Sequence, residues 1–450
     1  MIAIAPLALA LLFAIASLLV RRIKDPRKAR RHATFWVVGG FLLGAVAAAV
    51  DTFTTVHDIE LFGTGMHLLP DGLLKLFPVV TCLVSWVAIA MSPAGSHPAR
   101  TQARILSLLA QSLGFLVTPE PILIAGLWAT SALTTWLELR QVANGLRVDR
   151  LFAIYHLPSV ILFSLGAFLI TRDISYYGVI SLLIGIAIRQ ASLPVHSWFP
   201  AFVDRAPLGL VVLFVSPQVE VIAQLEFLSG GLPADLVGIV ATLGVVTAIG
   251  AAVLGVAQQN ARRAAAYLIM SQMGLVAFGL ENHTSLALTG ALLTWQVLSL
   301  ATAGYTMALA ALESRHGSLD LRVPHGNFEN TPRLAIAFLI LGFSMIGFPT
   351  TLGFVAEDLL VQGSVNEFPS LGLCLIIATA FNGLTVMRSF FSLFCGARRH
   401  MGESDLTRRE TLALSLVIAT LILGGMIPGP VVAIDAEEAH TETALPLPHR

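Results

Sequence analysis

Apolar residues in this chain gather into long blocks separated by short polar loops. Fourteen such blocks occupy residues 2–20, 34–50, 73–91, 105–118, 121–138, 151–171, 178–203, 206–228, 236–256, 264–280, 285–312, 334–362, 370–394 and 411–427. A bilayer core about 30 Å thick needs roughly 20 apolar residues per helix, and most of the blocks meet that length. The pattern predicts an all-α polytopic membrane protein of about 14 transmembrane helices. The longest polar stretch, 313–333, is too short for a soluble domain.

Two of the predicted helices carry breakers. Helix seven reads GIAIRQASLPVHSWFPAF, with Pro194 and Pro200; helix twelve reads GFSMIGFPTTLGFVAEDLL, with Pro349 between Gly347 and Gly353. Proline removes a backbone donor and clashes with the preceding turn. Irregular backbone at membrane depth survives only where protein or a water-filled cavity surrounds it. The breaks lie 155 residues and five helices apart, each with charge close by. Paired interruptions in two halves of a transporter mark its ion site.

Composition strengthens the membrane reading. The chain is 56% hydrophobic and 12% charged, with a mean hydropathy of +0.81, and a soluble domain carries about twice that charge fraction. The net charge is zero, which gives no argument for nucleic acid or an acidic partner. Cys82, Cys374 and Cys395 are far apart and show neither metal-ligand spacing nor a disulfide framework. No cofactor or metal site is expected, so redox or nucleotide chemistry would belong to a partner chain. The first block lacks a basic leader and a small-residue cleavage site, and is expected to be a retained helix.

Charge orients the helices. By these boundaries, 22 of the 27 Lys and Arg residues fall in the loops after odd-numbered helices. The opposite loops and the tail hold only Arg172 and Arg450. Positive charge stays cytoplasmic, which predicts a bacterial-type plasma (inner) membrane protein with both termini on the non-cytoplasmic side.

Charges inside the apolar blocks are the functional candidates, because a charge in hydrocarbon is costly. They are Arg189, Glu220, Glu226, Glu357, Asp358 and Arg388, with His156 and His196 as titratable neighbours. Glu138 closes helix five near the surface, where solvation explains it. Lys75 follows Asp71 at a helix start and is placed to snorkel. Arg189 and Glu220 lie on consecutive antiparallel helices and are expected to meet. A buried structural ion pair is the alternative to a conducting role.

At these residues the chain resembles the antiporter-like membrane subunits of respiratory complex I and Mrp-type cation/proton antiporters. The resemblance covers about 70–395. It rests on Asp71-Gly72-Leu73, on Leu193-Pro194-Val195-His196-Ser197-Trp198-Phe199-Pro200 with Ala206-Pro207, and on Ala266-Tyr267 through Ser271-Gln272-Met273-Gly274. Gly347-Phe348-Pro349 with Gly353-Phe354 and Glu357-Asp358, and Leu384-Thr385 through Arg388-Ser389-Phe390, complete it. The resemblance implies two inverted five-helix repeats, each a half-channel, joined by a mid-membrane line of ionisable groups. It implies segments at 1–103 (helices one to three), 104–230 (first repeat), 231–395 (second repeat) and 396–450 (helix fourteen and a short polar tail). The chain departs from the family's line. The helix-five Glu after Trp128 is Ala129, the helix-seven Lys is Arg189, and the helix-eight position is Glu220. The helix-eleven positions fall near Trp295 and Ser299, and the helix-twelve position is Glu357. Arg effectively cannot lose its proton, unlike Lys, so Arg189 holds a charge without carrying protons.

The implied function is that of a membrane subunit moving protons or a cation through Arg189, Glu220, Glu357, Asp358, His196 and Arg388. It would be coupled to other membrane subunits and to a soluble redox or zinc-containing partner, within an assembly of the NADH-quinone oxidoreductase type. Two rival readings stay open: the membrane subunit of a DAB-type inorganic-carbon pump, suggested by Leu127-Trp128-Ala129-Thr130-Ser131, and a structural subunit that no longer conducts. The tail AIDAEEAHTETALPLPHR gives no sign of the long lateral helix of the distal complex I subunit.

Overall fold

The computed structural model describes residues 4–51, 60–61, 64–65, 71–116, 120–142, 147–172, 175–228, 232–282, 284–365, 368–397 and 404–444. Within them the chain runs α1 (Ile4–Arg21), α2 (Pro26–Asp51), an antiparallel hairpin of β1 (Glu60–Leu61) and β2 (Thr64–Gly65), and α3 (Asp71–Met91). Next come α4 (Ala99–Phe115), α5 (Pro121–Leu139), α6 (Val148–Ile170), α7 (Ser175–Arg189), α8 (Trp198–Arg205), α9 (Leu208–Val215) and α10 (Val219–Leu228). The rest are α11 (Ala234–Val256), α12 (Ala261–Leu280), α13 (Ser285–His316), α14 (Pro332–Met345), α15 (Leu352–Val365), α16 (Pro369–Phe394), α17 (Arg408–Met426) and α18 (Gly429–Ala444).

Fourteen expected helices become eighteen for two reasons. Helices seven, eight and twelve are each built from two pieces: α7 with α8, α9 with α10, and α14 with α15. The break in helix eight, at Ser216-Pro217-Gln218, is an addition to the two expected. The tail is also not simply polar chain, because α18 folds back onto α13 and α3. Among the described residues, eight segments are long and apolar enough to cross a membrane, and four apolar helices are shorter. The two remaining expected spans are the most polar. α2 opens with Pro-Arg-Lys-Ala-Arg-Arg-His, and α4 carries Arg100, Gln102, Arg104 and Gln111.

Local chemistry sets many ends. Pro121, Pro332 and Pro369 begin α5, α14 and α16, where proline's missing N–H is not needed. Thr407 and Glu410 form a reciprocal capping box on α17. Asn260 caps α12 and Thr284 caps α13.

The helices form a centre and a rim. The segment Leu208–Leu225, α12 and α13 are buried over nearly all their apolar length, whereas α5, α6 and α17 expose most of theirs. Exposed Ile154, Leu157 and Ile161 on α6 suit a hydrocarbon surrounding. α11 and α12 meet backbone to backbone: a Cβ on Gly274 would sit 2.6 Å from the Ala248 nitrogen. Small residues permit such approach in membranes, where packing and hydrogen bonds replace hydrophobic drive.

Candidate functional site

The motif at 193–200 has a structural purpose. α7 stops at Arg189, and Ala191 takes a left-handed conformation with φ of 55°. Trp198 folds back so that its indole N–H donates to the Ile188 carbonyl at 2.9 Å, and the Leu193 N–H donates to Thr247 Oγ1 at 3.0 Å. Backbone groups freed by the break are thus met by side chains of neighbouring elements. On the basic-loop side, Arg262 donates to the Ala206 carbonyl at 2.8 Å and pairs with Glu313 at 2.6 Å. This pair borders an open cavity of about 980 Å³ whose lining includes Arg140, Arg147, Asp149 and Asp204.

Arg189 and Glu220 meet at the end of α7. The guanidinium Nε donates to Glu220 Oε1 at 2.7 Å, and both side chains are 2% exposed. Helix five also reaches this charge. Arg189 Nη1 donates to Ser131 Oγ at 2.8 Å, and the guanidinium carbon lies 4.6 Å from the Trp128 ring centroid and 4.5 Å from that of Phe214. Cation–π contact favours a delocalised cation on desolvated ring faces.

Glu220 opens α10 just past the third interruption, where Gln218 has φ of 40°. Ser299 of α13 donates to the Ser216 carbonyl that this interruption frees. Ser216 Oγ, Gln218 Nε2 and Glu220 Oε2 are buried without a hydrogen-bond partner, as are Trp295 Nε1 and Thr302 Oγ1 on α13. Buried polar atoms are normally satisfied, so this run of unpaired groups is a place suited to bridging water.

The break between α14 and α15 is differently furnished. Gly347 has φ of 65° and Thr350 φ of 76°. A Cβ on Gly347 would lie 2.4 Å from Glu357 Oε2, so any larger residue here would push this carboxyl aside. Thr379 Oγ1 donates to Glu357 Oε2 at 3.1 Å, while Oε1 is buried without a partner. Among the described residues Glu357 has no ion pair. α13 packs against both α9 and α15 and so stands between the two charged breaks.

The family described as "NADH:quinone oxidoreductase/Mrp antiporter, TM" matches residues 83–382. The chain belongs to this family. NADH-quinone oxidoreductase subunit M of Pseudomonas aeruginosa is 26% identical over 460 residues, covering 90% of this chain and 88% of that protein. Subunit M of Escherichia coli K12 is 23% identical over 445 residues, covering 88% and 86%. In fold, the chain is similar to a chain of respiratory complex I from Thermus thermophilus, with a TM-score of 0.87, 20% identity and full coverage of both chains. A chain of the Mrp complex from Dietzia sp. gives 0.85, with 15% identity and 98% of each chain covered. Together with its apolar helices, this makes the chain an integral membrane protein. The relatives are subunits of multi-subunit membrane complexes.

Other candidates in this family member lie elsewhere. Arg388, within an apolar block, donates to the Val256 and Gln258 carbonyls and so caps the end of α11, away from the mid-membrane charges. Asp358 is exposed and accepts from Gln362 at 2.7 Å, one helical step away from Glu357. His196 sits in the α7–α8 connection, with Nδ1 3.2 Å from the Pro194 carbonyl. His156 is buried between Phe152 and Trp198, and neither ring nitrogen has a partner. Glu138 is not solvated: it is 1% exposed, accepts from Thr101 and pairs with Arg104. The side chains of Lys75 and Glu226, and those of the Asp71-Gly72-Leu73 motif, lie outside the described residues.

Three features escaped sequence reasoning. Ser131 stands two positions beyond the missing helix-five carboxylate, and only packing shows that it reaches Arg189. Glu281 follows α12 directly and looks like loop, yet it is 4% exposed and accepts from Gln224. Asp435, in the tail, is 4% exposed and accepts from Gln296 of α13 at 2.8 Å. The two acids share a signal, a carboxylate directly beside an apolar run; Ser131 gave none.

Proposed function

We propose that this chain is an ion-translocating subunit of a multi-subunit complex and that it moves protons through its interior. The observation that carries this reading is the Arg189–Glu220 pair, buried where two interrupted helices meet, with unpartnered polar atoms leading away along α13. In this reading 104–230 and 231–395 are two half-channels. Arg189 fixes a charge, Glu220 balances it, and Glu357 takes up and releases protons. Burying an isolated carboxylate is costly, and a carboxyl relieves that cost by binding a proton, which a guanidinium cannot do. The drive comes from another subunit, with a soluble redox partner as the source. The basic loops face the cytoplasm, both termini face away from it, and the membrane is a bacterial-type inner membrane.

The test is proton uptake into vesicles holding the intact complex, with the double substitution Arg189→Met and Glu220→Met. Replacing a buried pair by apolar groups of similar volume is often tolerated, so the complex should assemble. Assembly with loss of proton uptake is expected. Full uptake would leave the chain as a structural subunit, the reading favoured by Ala129 in place of a helix-five carboxylate.

A further inference from the structure

Glu220 has a neighbour that leads outward. Gln224 lies four residues on along α10, one turn and about 6 Å of rise away on the same face. Its Nε2 donates to Glu281 Oε1, and Gln224 and Glu281 are both almost fully buried. α10 and α12 both end at loops without Lys or Arg: Ser-Gly-Gly-Leu-Pro at 229–233 and Glu-Asn-His-Thr at 281–284. Gln224 also borders a largely apolar cavity of about 190 Å³, with Gln190 and Ser192 from the α7 break among its few polar lining residues. Burial pushes the Glu281 carboxyl, which lies beyond the end of α12, up to about 8. A group in that range gives and takes a proton near neutral pH.

We propose that Glu281, contributed by the second segment, is the outlet group for the Arg189–Glu220 site, taking a proton from water beside Glu220 and Gln224 and passing it to the face opposite the basic loops. The inference rests on the translocating reading above. The step is a proton transfer only. A water O–H bond breaks as a carboxyl O–H forms on Glu281, and the reverse transfer delivers the proton to water at the loop. Gln224 carries no proton; its amide holds the Glu281 carboxylate by a hydrogen bond. This outlet lies on the Arg189–Glu220 side of the chain rather than beside Glu357.

The experiment compares Glu281→Gln, Glu281→Asp and Glu357→Gln in vesicles holding the intact complex, with assembled complex quantified for each. Wild-type complex is also treated with dicyclohexylcarbodiimide, which modifies protonated carboxyls in apolar surroundings, and its adducts are mapped by mass spectrometry. Proton uptake falling about a hundredfold in Glu281→Gln, with substantial recovery in Glu281→Asp at equal assembly, is expected. Wild-type uptake in Glu281→Gln with loss in Glu357→Gln overturns the outlet and leaves the translocating reading standing. Wild-type uptake in both Gln variants overturns that reading and the outlet with it. If Glu281→Gln does not assemble, the carbodiimide decides. An adduct on Glu281 with loss of uptake supports the outlet, and its absence rejects it.

Discussion

Arg189 ends α7 inside a shell made by Glu220, Ser131, Trp128 and Phe214. Glu357, on the second half of helix twelve, has a threonine hydroxyl on one oxygen and no partner on the other. Both stand beside a proline break with left-handed backbone, at Ala191 in one and at Gly347 and Thr350 in the other. The same backbone device therefore frames two electrostatic situations. The first break locks a permanent cation against its counter-ion, and the second leaves an acid uncompensated. A fixed charge can bias a neighbour, and an uncompensated acid can exchange protons. In the translocating reading proposed above, the two halves of this chain divide tasks that a pair of matched lysines would share.

The largest effects should come from unbalancing the locked break. Arg189→Met or Glu220→Gln alone strands a buried group and should lower stability by roughly 3–5 kcal/mol. The double neutral variant should lose much less. Thermal unfolding of the purified complex across this cycle measures the coupling, and additive losses would show that the pair is not locked. Ser131→Ala removes a hydrogen bond to a charged group and should cost about 1.5–3 kcal/mol, read in the same assay. At the open break, Gly347→Ala meets both a φ of 65° and the Glu357 carboxyl. A loss of about 1–3 kcal/mol is expected, together with reduced proton uptake because the carboxyl must move.

A smaller, pH-linked effect lies outside both breaks. His97, between α3 and α4, accepts the Gly209 N–H through Nε2 at 3.1 Å. Burial holds its imidazole down at about 3, against an ordinary 6.5. Between these values the unfolded chain binds a proton that the folded chain does not, so stability rises with pH across that window. Acidification below about 6.5 should weaken the complex, and His97→Gln should flatten that part of the pH profile. An unchanged profile would reject the assignment.

Much of this contrast was legible in the sequence, because proline, glycine and charge are local signals. Pro194 and Pro349 marked two breaks, and consecutive antiparallel helices brought Arg189 to Glu220. Pro217 did not mark the third break, since proline is common in membrane helices and the surrounding block is uniformly apolar. Arg388 misled because block membership says nothing of where a long side chain reaches, and here it reaches the end of α11. Ser131, Glu281 and Asp435 depend on which helix faces come together, which linear spacing does not encode. Glu138 illustrates the same limit: a terminal carboxylate looked solvated, but Thr101 and Arg104 of α4 enclose it.

The division of tasks is tested most directly by proton uptake in vesicles holding the intact complex, comparing Glu357→Gln with Asp358→Asn. Glu357 faces Gly347 and Thr379, whereas Asp358 is exposed and bonded to Gln362. Uptake should be lost in Glu357→Gln and retained in Asp358→Asn, at equal assembly. Full uptake in Glu357→Gln would contradict the account, because the open break would then carry no proton.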